Sequence, residues 1–441
     1  MIRKSSLCIK IIIVVVFTVF FFICAGATHA GDVKPLTLGE CLEIALQKSP
    51  LIKSSELDIE ASKEALKGSR GAQFPKLDLN ASYLRENRPF PYIQTEGTTV
   101  PAITSQDIYA WAFALRMPIY QGGRLSGQVK ISEIENTIQN SRSDFTRQDV
   151  ISNVTNAFNK VLQLKELKRA NEKSVEALDS QRKNSELLMK AGRTPKVEHL
   201  RIEVQFASEK QNLIRTEEAS NRARYNLAYF MGVDGRELPD VVGNITADEK
   251  VESTKIEDLI KNRPDIIAAM QKVEQAKTRV EVAQGRRTPS LDVVGSYGQK
   301  SGAAVDERKT VWEAGLVASI NVFDAGIISS DIARERTWQR RTEEELRQTY
   351  LKARLEVDNA LSLLKEAEAK LIVSEKAVAQ AEESMRIEDL KYRAGAGTIT
   401  DMLLAESAQS LAQANYYQAL YDYNAAITEF KRATGTIEVK K

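Results

Sequence analysis

Residues 50–75, bounded at both ends by proline, return as residues 264–289, again bounded by proline, at an offset of 214. The next eight residues repeat as well. Lys76-Leu77-Asp78-Leu79-Asn80-Ala81-Ser82-Tyr83 is answered at the same offset by Ser290-Leu291-Asp292-Val293-Val294-Gly295-Ser296-Tyr297. Further on, Ala191-Gly192 returns as Ala394-Gly395 and Met231-Gly232 as Thr434-Gly435, now at an offset of 203. The difference falls between the matched blocks, in a loop. Each copy reads as helix, two strands, long helix, turn, helix. A duplicated mixed unit builds a pseudo-symmetric assembly, so 441 residues are two interleaved halves of one architecture rather than several domains. The first repeat is expected over 31–233, a link over 234–255, the second repeat over 256–436 and a short tail over 437–441.

The chain opens with Arg3, Lys4 and Lys10, then an apolar run over 11–23, then small residues including Ala25-Gly26-Ala27 and Thr28-His29-Ala30. This is the composition of a secretory signal peptide, 1–30, cut after Ala27 or Ala30. The run of about 13 apolar residues is short for a membrane-spanning helix of ~20. An uncleaved anchor is the alternative. Phe21-Phe22-Ile23 lack the small residue expected before a lipidated cysteine, so Cys24 goes with the discarded segment. Cys41 then remains alone and makes no internal disulfide. Among Leu38, Leu42, Ile44, Ala45 and Leu46 it reads as a small buried hydrophobe.

The formal charge is +2, three of it in the signal segment, so the exported chain carries no basic footprint for nucleic acid. One histidine remains, His199, on a helix beside Val197, Leu200, Arg201 and Ile202, with no second ligand near it. Metal sites need several ligands together, so it reads as a solvated or partly packed residue. No phosphate loop or nucleophile motif is present. The expectation is a protein that is not an enzyme and has no cofactor.

After each proline-bounded helix the hydrophobic period changes to two. Leu77, Leu79, Ala81 and Tyr83 alternate with Asp78, Asn80 and Ser82. Tyr109, Trp111, Phe113, Leu115 and Met117 alternate with Ala110, Ala112, Ala114 and Arg116. In the second copy Leu291, Val293 and Tyr297 oppose Asp292 and Ser296. Trp312, Ala314, Leu316, Ala318, Ile320 and Val322 oppose Glu313, Gly315, Ser319 and Asn321. Alternation over such lengths predicts β-hairpins over 76–120 and 290–323, with loops over 87–106 and 298–309. Large apolar residues on one face and small or polar ones on the other fit a soluble sheet over a core, or a membrane barrel that is apolar outside and polar inside. Strands of about ten residues cross a bilayer when tilted, and Tyr83, Tyr109, Trp111, Tyr297 and Trp312 are placed for its interfaces.

Residues 124–190 and 327–394 lack proline and carry one glycine between them, Gly127. As single helices each reaches ~100 Å. The second has a seam at Leu346, Tyr350, Ala353, Val357, Ala360, Leu364, Ala367, Leu371, Ser374, Val378, Ala381 and Met385. This 4,3 spacing is a coiled-coil period, matched in the first by Val150, Val154, Ala157, Val161 and Leu164. Glycine-containing turns end both, and return helices come next over 196–231 and 399–434, each ~54 Å. With the helices over 50–73 and 264–287 stacked on them they nearly match one long helix, which is the geometry of a tall helical cylinder. Four strands cannot close a barrel, and an open edge in lipid leaves backbone groups unpaired at several kcal/mol each. Twelve strands from three chains would close it and leave a lumen.

The duplicated plan, the proline-bounded segments, the turn Arg393-Ala394-Gly395-Ala396-Gly397-Thr398-Ile399-Thr400-Asp401-Met402-Leu403 and the closing Phe430-Lys431-Arg432-Ala433-Thr434-Gly435 together resemble the TolC-type outer membrane efflux protein family. The resemblance covers nearly the whole exported chain. It implies a homotrimer, with a 12-stranded β-barrel in outer membrane lipid continuous with a periplasmic α-helical coiled-coil barrel. It implies a passive exit duct that docks with a periplasmic adaptor and an inner-membrane pump of RND or ABC type, exporting small molecules or proteins. It also assigns the entrance. Asp401 matches an inward-facing acidic position, Glu198 is its first-half counterpart, and Tyr392 matches a member of the closing network. Adaptor contact is expected around Gly192, Arg193, Thr194 and Val197, and around Gly395, Gly397, Thr398 and Ile399. The chain departs from the pattern at Gly397, where a locking arginine is expected, and at Leu404, where a second acid is expected; Arg193 or Arg393 are the substitutes at hand. Asp401 and Glu198 also suit helix capping, and Val197 and Ile399 also suit packing within the tip. The rival architecture is an extracytoplasmic coiled-coil scaffold. The channel reading predicts outer membrane fractionation and a heat-modifiable band on gels; a band that does not shift on heating, in a soluble fraction, belongs to the scaffold.

Overall fold

The computed structural model describes residues 35–93, 103–236, 238–247, 256–302 and 309–437. The expected signal segment, the tips of both hairpins, part of the expected link and the end of the tail lie outside the described residues. The order of elements is α1 (Leu38–Lys48), α2 (Pro50–Gly71), β1 (Lys76–Ile93), β2 (Ile103–Tyr120), α3 (Arg124–Lys190) and α4 (Lys196–Met231). Then come α5 (Ile256–Lys261), α6 (Pro264–Gln284), β3 (Ser290–Ser301), β4 (Lys309–Ser319), α7 (Ile327–Arg393) and α8 (Ile399–Thr434).

Local chemistry sets the helix starts. Thr37 and Glu40 cap α1 reciprocally, with Thr37 N donating to Glu40 Oε2 at 2.8 Å and Glu40 N to Thr37 Oγ1 at 3.4 Å. Proline opens α2 and α6, where its missing N–H would find no helical partner anyway. The two long helices have 67 residues each and the two return helices 36 each, so the lengths of the two halves agree element by element.

The core is a series of clusters strung along the helices. Where α1 lies across α3 and α4, Cys41, Ala45, Val154, Val161, Leu227 and Met231 are buried. Burial pushes the Cys41 thiol up to about 12, which keeps it an inert apolar filler. Leu36 bridges to Val241 beside them, its N–H donating to Asp240 O at 2.8 Å. In the second half Ala353, Val357 and Ala360 of α7 pack on Phe430 and Ala433 of α8, with Ala367 and Ser374 continuing the same buried line. Small residues at the predicted seam let the two helix backbones come close. Arg263, 3% exposed, ties this region together. It donates to Asp265 and Glu356 at 2.8 Å and to the Ala433 carbonyl at 2.7 Å.

The four strands form one antiparallel sheet in the order β1-β2-β3-β4. The β2–β3 contact joins the two hairpins. Its register aligns Phe113 with Tyr297, and the neighbouring ladders align Leu79 with Phe113 and Tyr297 with Trp312. One face therefore carries the row Leu79, Phe113, Tyr297 and Trp312. The opposite face carries Asp78, Ala114, Ser296 and Glu313. A Cβ on Gly298 would lie 2.1 Å from Trp111 O, so only glycine lets β3 approach β2 here.

Strand limits differ from the sequence pattern. β1 and β2 are 18 residues each and run well into the expected 87–106 loop. Pairing continues there through Phe90 with Ser105 and Ile93 with Ile103, after a shift beyond Arg85. The hydrogen-bonded ladder, not side-chain alternation, sets their ends. β4 falls short of the predicted Val322. It stops at Ser319, opposite the first residue of β3, Ser290, beyond which it has no partner. The α2 helix ends at Gly71, and α6 ends at Gln284 in a short 3-10 turn, Gly285–Arg287.

Replacing Arg263 with alanine strands Asp265 and Glu356 without their shared donor. Arg263→Ala is expected to cost about 3 kcal/mol and to lower the temperature at which the helical circular dichroism signal is lost; an unchanged transition would show that the cluster is dispensable.

Candidate pore entrance and membrane face

At the end of the helices away from the sheet, both long helices close in the same way. Gly192 and Gly395 adopt φ of 70° and 74°, and Arg193 N and Ala396 N donate back to Leu188 O and Lys391 O at 2.9 Å. A left-handed residue after the last turn is the normal glycine stop for a helix. Thr398 then starts α8. Its hydroxyl accepts from Asp401 N at 3.2 Å and donates to Asp401 Oδ2 at 2.7 Å. Asp401 is thus part of the helix cap and is also exposed. In the first half Glu198 N donates to Pro195 O at 3.1 Å, in the first turn of α4.

Beneath these turns Leu178, Ile202, Ile399, Met402 and Leu403 form a buried tip core, with Phe206, Met385 and Tyr392 against it. Ile399 is 2% exposed and packs the tip, whereas Val197 is 54% exposed. Of the two apolar residues singled out in the sequence for partner contact, Val197 is the one a partner can reach. Tyr392 is half-buried. Burial raises its hydroxyl above the ordinary tyrosine range, and the nearby Glu198 carboxylate adds to the rise. Glu198 of the first half is thus near enough to Tyr392 of the second to act on it electrostatically. His199 is buried, more deeply than the sequence suggested, with Nδ1 2.8 Å from Ser185 Oγ and Nε2 3.5 Å from Glu203.

The other membrane-related residues sit at the far end. Tyr83 and Tyr109 lie on adjacent strands with ring centroids 4.9 Å apart. Trp111 stands edge-on to Phe113 at 6.0 Å. Tyr297 and Trp312 are both well exposed. At the base of the sheet the buried Asp292 receives hydrogen bonds from Arg116 and Gln121, each at 2.9 Å.

The family model for outer membrane efflux proteins matches residues 41–233 and 256–436. The chain belongs to the outer membrane efflux protein family. Its sheet accordingly lies in the outer membrane and its helices in the periplasm. Among curated relatives it is similar to the pyoverdine export outer membrane protein OpmQ of Pseudomonas aeruginosa, 24% identical over 271 residues, which cover 60% of this chain and 56% of that one. It is also similar to nodulation protein T of Rhizobium leguminosarum bv. trifolii, 25% identical over 171 residues, 38% of this chain and 36% of that one. The matched stretches thus span between about a third and just over half of these relatives. Solved channels align further. OprN gives a TM-score of 0.76 at 20% identity over 90% of both chains. Campylobacter jejuni CmeC gives 0.79 at 18% identity, covering 92% of this chain and 87% of that chain. At these identities the likeness is one of fold.

Within this efflux protein, two departures from the family pattern now have a physical setting. A Cβ on Gly397 would lie 2.9 Å from Lys391 Cβ and 3.1 Å from Tyr392 N. The turn folds back too tightly for any side chain, so a locking arginine has no room. Leu404 is 64% exposed on α8. Of the suggested substitutes, Arg393 pairs with Asp389 of its own helix at 3.0 Å, and Arg193 is exposed. A polar link between α4 and α8 comes from a residue that the sequence pattern did not single out. Arg201 of α4 donates to Thr400 Oγ1 of α8, and Gln205 Nε2 to Ser407 Oγ at 3.0 Å. Residues 201 and 205 lie one turn apart on one face of α4, which is a visible signal only once α8 is known to be the neighbour.

Gly397→Ala is expected to destabilise the tip by about 1–3 kcal/mol, since the added methyl meets Lys391 Cβ and the backbone beside it rather than a movable side-chain end. Amide exchange over residues 398–403 should quicken; protection equal to the parent's would show that the turn can yield.

Proposed function

We propose that this protein is the passive outer membrane exit duct of a tripartite export system, acting as a homotrimer with a periplasmic adaptor and an inner-membrane pump of RND or ABC type. The observation that carries this reading is the single four-stranded sheet, apolar on one face, small and polar on the other, and open at both edges. Three such sheets placed edge to edge give twelve strands, more than the eight that side chains fill, so a lumen remains. The helices continue that lumen for ~100 Å. Conduction through such a tube needs no catalytic group, since the partner pump supplies the energy.

The entrance is assigned to Asp401, Glu198 and Tyr392, and the lock to the Arg201–Thr400 and Gln205–Ser407 links in place of the missing arginine. Three exposed Asp401 carboxylates around one axis favour cations, as rings of acidic side chains do in cation-selective pores. The adaptor is assigned to the exposed turn residues Gly192, Arg193, Val197, Gly395 and Thr398, with the half-buried Thr194 and Gly397 beside them. Ile399 supports that surface from inside the tip. The interface aromatics Tyr83, Tyr109, Trp111, Tyr297 and Trp312 anchor the barrel in lipid. The cargo class is small molecules or proteins.

Purified trimers in a planar bilayer should conduct, and Asp401→Ala should weaken cation preference. A reversal potential equal to the parent's would remove Asp401 from the pore, and intact trimers that never conduct would end the duct reading. Arg201→Ala should raise the basal conductance, as opening no longer breaks that link.

A further inference from the structure

The two halves repeat in space as well as in sequence. β1 pairs Asp78 with Ala114 of β2, and β3 pairs Asp292 with Val317 of β4, the same pair moved by 214 and 203 positions. At the strand-to-helix turns Gly122 and Gly123 have φ of 64° and 74°, and their counterparts Ala325 and Gly326 have φ of 52° and 89°. Each contact of the first half with the second therefore has a counterpart that one chain leaves open. β2 and β3 are paired on both sides, whereas β1 and β4 are edges. α3 packs on α2, α4, α6 and α8, whereas its counterpart α7 has α6 and α8 as its main partners. Gln148 and Lys160 of α3 reach Gly435 and Gln418 at the α8 arm. Their counterparts on α7 are Leu351 and Leu363, 59% and 50% exposed.

We propose that the open edges and the bare side of α7 meet a second copy of this chain with the geometry of the internal β2–β3, α3–α6 and α3–α8 contacts. The assignment rests on the homotrimer proposed above and fixes its register. Within the chain Phe113 faces Tyr297, Arg116 faces Val294 and Tyr120 faces Leu291. Moving β2 onto β4 and β3 onto β1 puts Leu316 of one copy opposite Tyr83 of the next, Ser319 opposite Asn80 and Phe323 opposite Leu77. The first and last pairs are apolar, and the middle pair is polar, on the lumen face. One pair, Glu313 with Glu86, is of like sign, and it too faces the lumen, where water and salt screen it.

At the foot of the sheet the charges compensate across the seam. Inside the chain Arg116 and Gln121 hold the buried Asp292. The counterparts are Ser319, Asp324 and Asp78, two acids and no base. Asp324 accepts from Gly326 N and Ile328 N at 3.0 and 2.7 Å. Lys76, the counterpart of Ser290, lies two residues from Asp78 on the same face of β1, exposed and with no ion pair among the described residues. It supplies the missing cation to Asp78 and to Asp324 of the adjoining copy. The helices complement one another in the same way. Gly127 of α3 makes room for Val282 of α6; at the seam Ser330 of α7 meets Gly68 of α2, so the glycine has changed sides. Gln275 donates to Glu135 at 2.8 Å; at the seam Ala61 receives the 48% exposed Trp338. Gln163 donates to Gln418 at 3.2 Å; at the seam Glu366 meets Arg215, which is exposed and has no ion pair among the described residues.

The test is disulfide formation in the full-length protein in detergent, on a Cys41→Ala background. Ser319→Cys with Asn80→Cys, and Val317→Cys with Ser82→Cys, are the aligned pairs. They should join copies into covalent trimers about tenfold or more faster than the crossed pairs, Ser319→Cys with Ser82→Cys and Val317→Cys with Asn80→Cys, since opposed Cβ atoms lie about 5 Å apart and diagonal ones about 7–8 Å. Crossed pairs that link as fast as the aligned ones overturn the register. Lys76→Gln should lower the temperature at which trimers separate on gels, and Lys76→Arg should not; a Lys76→Gln trimer as heat-resistant as the parent strikes out the charge link. Light scattering and conductance on the same preparations separate the two readings. Trimers whose aligned pairs never link keep the homotrimer and remove this seam, whereas a monomer removes the homotrimer itself. Trimers joined by the aligned pairs that never conduct keep the seam and remove the duct.

Discussion

The backbone groups along the outer edges of β1 and β4 are the constraint on which this architecture turns. In water an unpaired edge is a mild liability, because solvent supplies the missing hydrogen bonds. In a bilayer it is not tolerated, since each unmet N–H or C=O costs several kcal/mol. A family member with four strands per chain therefore has to find its neighbours' edges, and the strand count and the lumen to be enclosed set the number of copies. The outward row Leu79, Phe113, Tyr297 and Trp312 and the inward row Asp78, Ala114, Ser296 and Glu313 have meaning only in that closed form. Inside a single chain, the apolar row has nothing to cover it.

The helices answer a different demand, reach. Two continuous helices of 67 residues give height, and two of 36 with the shorter proline-led ones fill the wall between them. Such a wall has little depth, so no central core can form. The apolar residues instead gather in separate clusters, each joining two or three helices. Small residues at Ala353, Ala360 and Ala367 keep the wall thin, and Arg263 binds three elements where α6 and α7 meet the end of α8. Stability spread along a tube in this way lets one end change without melting the other.

At the tip an apolar core holds the two helical hairpins side by side, yet the links between α4 and α8 are polar: one arginine to a threonine and one glutamine to a serine. Such contacts are made and broken at modest cost compared with the apolar packing beneath. The tightness of the Gly397 turn leaves no room for an arginine side chain there, and Arg201, on the other half of the repeat, donates across to Thr400.

The element order, the two hairpins, both long helices, the glycine turns and the 4,3 seam were legible in the sequence, because each depends on periodicity and on glycine or proline within a few residues. Strand ends were not. β1 and β2 run into a predicted loop and β4 stops early, because a strand ends where its hydrogen-bonding partner ends, and partners lie far away in sequence. At the tip, helix periodicity and the glycine stops put Asp401, Glu198 and Tyr392 at or beside the turns, but Ile399 is core, and Arg201 and Gln205 carried no mark of their own. Their roles arise from which helix faces which, and for residues about 200 positions apart only tertiary packing decides that.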